Sequence, residues 1–137
     1  GCFKLFTSTV RSMVRFGLLN LNKGTWDIEV ILSDKNFYSE MINTLQNDNN
    51  AHGYLWWLNG KDSFRLPATK VTFYGELIPN APNDMFSGLG KDDQKLYVVS
   101  SHNLVILRMG YSAGTSQCDP SSFDNELWEK INKVIAY

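Results

Sequence analysis

The stretch Lys95–Met109, KLYVVSSHNLVILRM, constrains the fold more than any other. Leu96-Tyr97-Val98-Val99 and Leu104-Val105-Ile106-Leu107 are two apolar runs rich in β-branched residues. Between them lie Ser100-Ser101-His102-Asn103, short polar residues whose side chains hydrogen-bond locally and favour turns. Two such runs around a polar turn predict an antiparallel hairpin. Neither run alternates apolar with polar, so both faces of the hairpin are expected to be covered. The hairpin is therefore expected at the centre of its sheet rather than at an edge.

The flanking chain supplies candidate layers. Val10, Met13, Val14, Gly17, Leu18 and Leu21 repeat at helical spacing, predicting a helix over residues 8–23 that Thr7 or Ser8 caps and Gly24 ends. Gly17 lies on the apolar stripe, where glycine costs up to about 1 kcal/mol against alanine. Its presence predicts close approach of another element. A second helix is expected from Asp34 to Leu45, capped by Ser33, with Phe37, Met41 and Leu45 on one face. Residues 54–58, YLWWL, are too short for a helix and read as a buried strand, Tyr54 and Trp56 facing one way and Leu55 and Trp57 the other. That placement favours core over a sugar-stacking platform for the three aromatic residues. Pro67, Gly75, Pro79 and Pro82 break any pattern over residues 61–84, which read as a long loop. Met85–Gly90 reads as a short strand and Lys91-Asp92-Asp93 as a solvated turn. A last helix is expected from Ser122, with Phe123, Leu127, Ile131 and Ile135 on one face. The order predicts an α+β fold: an antiparallel sheet of three to four strands, the C-terminal helix across one face and the first two helices on the other. Trp57, Val105 and Ile131 are expected to meet in one core.

Bulk properties narrow the function. A chain of 137 residues suits one domain over residues 1–137. A net charge of −1 argues against nucleic-acid binding, which needs a basic surface to neutralise phosphates. No apolar run approaches the roughly 20 residues of a membrane span. Cys2 and Cys118 are the only cysteines and have no metal-site spacing, so no metal and no cofactor are expected, and two unpaired thiols are favoured over the disulfide that an exported protein could form. His52 and His102 read as solvated turn histidines. The start GCFKLF lacks an initiator Met, and the chain is expected to be a piece of a longer polypeptide.

Four stretches together resemble the serine β-lactamase-like hydrolases, the superfamily of class C β-lactamases, penicillin-binding proteins and esterases. Arg11–Trp26, RSMVRFGLLNLNKGTW, is similar to the family's helix S-x-x-D-x-A-R-F-G-x-L-x-L-N-x-G-x-W. Gly53–Trp57, GYLWW, resembles its Y-G-Y-G-W-W strand. Gly90–Gln94, GKDDQ, followed by Tyr97-Val98-Val99, resembles G-x-x-G-Q-x-x-x-V-x-P, and Leu104–Gly110, LVILRMG, resembles the closing strand. Two positions depart: Asp93 stands where the pattern has its second glycine, and Ser100 where it has proline. The family's S-x-x-K nucleophile and Tyr-x-Asn motif are absent from this chain.

The resemblance implies the C-terminal part of a hydrolase that cleaves amides or esters through an acyl-enzyme, with this part alone inactive. It places the family's K-T-G-like triad on Gly88-Leu89-Gly90. Gly88 and Leu89 would then bind substrate, while Gly90 and Lys91 would form the oxyanion-hole backbone with the Lys91 N–H as donor. Such a donor is worth roughly 3 kcal/mol of barrier in acyl transfer. The plain alternative is that these glycines only permit a tight turn or bulge. The missing N-terminal strands also imply a homodimer through an uncovered sheet edge or face, or through Leu66–Ile78. A stand-alone, non-catalytic binding module of the same partial fold is the rival reading.

Overall fold

The computed structural model describes residues 7–45, 47–113 and 122–135. Cys2 and Cys118, expected as unpaired thiols, lie outside the described residues. In chain order the elements are α1 (Val10–Leu21), β1 (Thr25–Trp26), β2 (Glu29–Val30), α2 (Lys35–Met41), β3 (Trp57–Leu58), β4 (Ser63–Arg65), β5 (Thr72–Tyr74), β6 (Met85–Gly90), a 3-10 turn at Lys91–Asp93, β7 (Gln94–Val99), β8 (Leu104–Arg108) and α3 (Ser122–Val134). The fold class is α+β, with antiparallel sheets. The main sheet runs β3-β6-β7-β8, every neighbour antiparallel.

The hairpin forms as its sequence predicts, turning at residues 100–103 with Val99 opposite Leu104. Its place in the sheet does not. β7 lies between β6 and β8, and Lys95–Val99 are buried, but β8 is an edge strand whose residues are all half-buried. A continuous apolar run therefore marked β7 correctly as central and overstated β8. Along β7, Tyr97 and Val99 face α3 with Trp57, Met85, Leu89 and Trp128. Leu96 and Val98 face the other way, with Trp56, Leu58, Phe86, Tyr38 and Met41. Strand alternation puts Val105 on this second face, so it does not join Trp57 and Ile131 as expected, and Ile131 is half-buried beside the first core.

Helix α1 starts at Thr9 rather than Ser8 or Thr7, because the Thr9 side chain accepts the Ser12 N–H at 3.2 Å. It packs across β7 and β8 on the second face, and Gly17 makes the approach possible. A β-carbon there would sit 2.6 Å from Val105 Cγ1 and 3.0 Å from Leu96 Cδ1. Helix α2 is capped by Asp34, not Ser33, and stops at Met41, short of Leu45. It stops because the chain returns onto its end: Tyr54 N–H donates to the Met41 carbonyl at 3.1 Å, and a β-carbon on Gly53 would lie 2.2 Å from that oxygen.

The expected strand at 54–58 shrinks to Trp57–Leu58. Leu55 has φ +62 and is 91% exposed, and Tyr54 is exposed as well. Gly53 N–H donates to the Trp56 carbonyl at 2.9 Å, forming a turn where alternation was expected. His52 is not a solvated turn histidine. It meets Trp57 edge-on at 5.0 Å, and burial holds its pKa below the usual imidazole value. Residues 61–84, read as a loop, contain the β4–β5 hairpin, with Phe64 and Phe73 stacked at 5.4 Å. Residues 25–30 add a second small hairpin, β1–β2. Buried Asn59 holds the end of the 61–84 stretch, its Nδ2 donating to the carbonyls of Ile78, Ala81 and Pro82 while its Oδ1 accepts the Ile78 N–H. Among the described residues no helix is long and apolar enough to cross a membrane.

Candidate functional site

On the α1–α2 face the packing leaves a groove of about 520 Å³, within the range of small-molecule sites. Its lining is predominantly apolar. Phe16 of α1 stacks on Trp56 at 6.0 Å, and Phe37 of α2 stacks on Tyr54 at 5.6 Å. Trp56 in turn meets Phe86 edge-on at 5.0 Å, which fixes the ring from below. Met13, Met41, Leu107 and Met109 complete the walls, and Gly88, Leu89 and Gly90 of β6 also line the groove.

The β6 glycines are not there to bend the chain. The β6–β7 register runs unbroken from Met85 opposite Val99 to Gly90 opposite Gln94, with no bulge. Neither Gly88 nor Gly90 has positive φ. A β-carbon on Gly88 would have its nearest neighbours 3.9 Å away, at Leu96 Cβ and Trp56 Cζ3. The backbone would accept a side chain; what glycine leaves is room beside Trp56. Lys91, by contrast, does not line the groove. It is exposed at the start of the 3-10 turn, so three of the four site residues named from sequence come together and the fourth lies beyond them.

That turn is held in an uncommon conformation. Asp92 and Asp93 both have φ +58, a left-handed backbone that costs energy in a residue with a side chain. Side chains from β7 and β8 fix it. Gln94 Nε2 donates to the Asp92 carbonyl at 3.0 Å, and Arg108 Nη1 donates to the carbonyls of Asp92 and Asp93 at 3.1 and 2.9 Å. Gln94 also bonds Gly110 through both amide atoms, closing the end of the groove against the loop that follows β8. Asp93 is buried rather than solvated, its Oδ2 accepting from Ser112 Oγ and the Ala113 N–H.

The opposite face holds the ionisable groups. Lys95 Nζ lies 3.1 Å from Asp124 Oδ2 and 3.4 Å from Asp93 Oδ1, and Tyr97 Oη donates to Asp124 Oδ1. Lys95 and Asp124 are 1% and 0% exposed. Burial, with the Asp124 carboxylate next, drives the Tyr97 pKa far above the ordinary phenol range, so this hydroxyl stays protonated. The cluster ties α3 to the sheet and faces away from the groove. A second polar group lies at the hairpin turn, where Ser101 Oγ contacts Asp84 Oδ1 and His102 Nδ1, each at 2.8 Å. Its composition is that of a hydrolase triad, but the serine is in the middle. A triad needs the imidazole between serine and carboxylate, so that it can take the hydroxyl proton. Asp84 instead accepts the Ser101 N–H at 2.6 Å and braces the turn.

Sequence reasoning missed Phe16, Phe37 and Met109 as groove residues. Phe16 lies off the apolar stripe of its helix, an exposed aromatic residue with no core role, and that was the available signal. It also missed the Lys95–Asp124 clamp, although a lysine opening a fully buried run is itself a signal that a carboxylate must be near. The groove can bind and orient an apolar molecule. Ser8 is its rim hydroxyl and has no base beside it among the described residues. Comparison with family models, curated proteins and solved structures finds no match to this chain.

Proposed function

We propose that this chain is the C-terminal, substrate-binding part of a serine β-lactamase-like hydrolase, inactive alone and contributing an apolar acyl-binding groove. One observation carries the reading. All four stretches that resemble the superfamily converge on a single groove: Phe16 from the first, Trp56 from the second, Gly90 and Gln94 from the third, Leu107 and Met109 from the fourth. These residues are far apart in sequence, and nothing in their separate resemblances requires them to meet. The departure at Asp93 also has a physical reading. The pattern has glycine there, and the backbone at Asp93 is left-handed at φ +58, the conformation that glycine adopts at least cost. Here aspartate bears the strain, and its carboxylate is held by Ser112, Ala113 and Lys95.

The role of each residue follows from its place. Gly88 and Gly90 keep the β6 wall open to an acyl group, and Trp56, Phe16 and Tyr54 bind its apolar part. The nucleophile and base would come from the missing part of the hydrolase. The oxyanion role proposed for the Lys91 N–H requires that part to bring the reacting carbonyl to the turn. Intact-mass spectrometry after incubation with a penicillin and a p-nitrophenyl ester tests the inactive half of this reading, and no covalent adduct is expected. The in-frame sequence upstream of Gly1 tests the other half. S-x-x-K and Tyr-x-Asn there support the hydrolase. A frame without them means a binding module that uses the same groove.

A further inference from the structure

Lys95, Asp93 and Asp124 bring an amine and two carboxyl groups together out of contact with solvent. Lys95 is 1% exposed, Asp124 0% and Asp93 5%. Tyr97, which bonds Asp124, is itself fully buried and meets buried Trp128 edge-on at 5.5 Å. One carboxylate would suffice to neutralise the ammonium, and the cluster has two. The spacing is also that of reactants. Lys95 Nζ lies 3.1 Å from Asp124 Oδ2, and the carboxyl carbon is one C–O bond of about 1.2 Å from that oxygen. A small turn of the carboxyl group brings nitrogen and carbon to the separation of about 3–3.5 Å from which an amine attacks.

We propose that Lys95 and Asp124 join in an intramolecular isopeptide bond, with Asp93 as the proton carrier. The proposal is independent of the hydrolase reading. Lys95 Nζ forms a C–N bond to Asp124 Cγ, and the Cγ–Oδ2 bond breaks. Of the three ammonium protons, one remains on the amide nitrogen. The other two leave with Oδ2 as water, one passed directly and one through Asp93 Oδ1, which lies 3.4 Å from the same nitrogen. Charge balances: the ammonium and one carboxylate become a neutral amide, and Asp93 ends as the carboxylate it began as. Negative charge that develops on Asp124 Oδ1 during attack falls on an oxygen that Tyr97 Oη already bonds, and the Tyr97 hydroxyl stays protonated. Asp93 is fixed for its part through Oδ2, which accepts from Ser112 Oγ and the Ala113 N–H, while Oδ1 is the atom near Lys95. The product suits the site, because a hydrogen-bonded amide costs less to bury than an ion pair. The bond would tie β7 to α3 across a sequence separation of 29 residues, so α3 could not leave the sheet.

Intact-mass spectrometry of the folded full chain tests this without any variant. The expected mass is that of the sequence less one water, and a peptide map should place the link between the Lys95 and Asp124 peptides. Lys95→Arg, which keeps a cation in the cluster, should restore the full sequence mass. Asp93→Asn tests the proton carrier. Asparagine accepts the left-handed backbone at this position, so the variant should fold while the link forms at least about 100-fold more slowly. Full sequence mass in the folded wild type overturns the proposal. So does a water loss that maps to another site, such as a cyclised aspartate, or that persists in Lys95→Arg. A link that forms undiminished in folded Asp93→Asn overturns the role given to Asp93.

Discussion

On the α3 face of the sheet, buried charges from three separate elements close on one another, and Trp128 fills what remains. Among the described residues the α1–α2 face has no comparable clamp. The helices rest on apolar contacts, with Gly17 packed against Val105, and their side chains line the groove together with Gly88 and Gly90. Charges in a low-dielectric interior enforce one arrangement, because leaving any of them unpaired is costly. Aromatic and methionine side chains tolerate a gap and can repack around a guest. The clamped face fixes the sheet; the unclamped face is available for binding.

The largest effect should come from the clamp. Lys95→Met would remove the buried ammonium that contacts both the Asp93 and Asp124 carboxylates, and we expect a loss of about 3–5 kcal/mol in urea unfolding. A loss under about 1 kcal/mol would mean that the face is held by Trp128 packing alone. Next is Gly53→Ala, where the new β-carbon would strike the Met41 carbonyl, a backbone atom that cannot swing aside. Overpacking of this kind costs about 3 kcal/mol, and the Tyr54–Leu55 wall of the groove should be displaced with it. A wild-type midpoint would show that α2 can shift away freely.

A smaller effect concerns pH. The folded pKa of His52 is depressed by burial, so the unfolded chain binds more protons in the window below its ordinary value of about 6.5. The contribution of neutral His52 is therefore intact above that pH and fades as pH falls through it. Urea midpoints should drop modestly between about pH 7.5 and 5.5, and His52→Phe, which keeps a ring against Trp57, should flatten part of that drop. An unchanged slope would assign the dependence to other groups.

Much of this was legible in the sequence. The hairpin, both flanking helical stripes and the close approach at Gly17 follow from local pattern, since each is set by which side of an element is apolar. What was not legible depends on contacts between distant segments. Nothing near Leu45 says that α2 must stop at Met41; the reason lies at Gly53 and Tyr54. The left-handed backbone at Leu55 breaks an alternation that the side chains alone suggest. The β4 and β5 strands have three residues each, too few for a period to appear. For the site, Gly88, Leu89 and Gly90 came from resemblance and line the groove, whereas Phe16 and Phe37 became site residues only once the helices were docked.

The most direct measurement is a calorimetric titration of the wild type and Gly88→Leu with an apolar aromatic amide such as phenylacetanilide. Gly88 has room for a β-carbon and an extended backbone, so leucine there should leave the unfolding midpoint within about 0.5 kcal/mol or raise it, as replacing a strand glycine does. Its side chain would grow into the space beside Trp56. Wild type is expected to bind with a Kd below about 1 mM, or roughly −4 kcal/mol, and Gly88→Leu to bind at least tenfold more weakly at unchanged stability. Equal affinity in the two folded proteins, or no binding by either, would contradict the groove as the site.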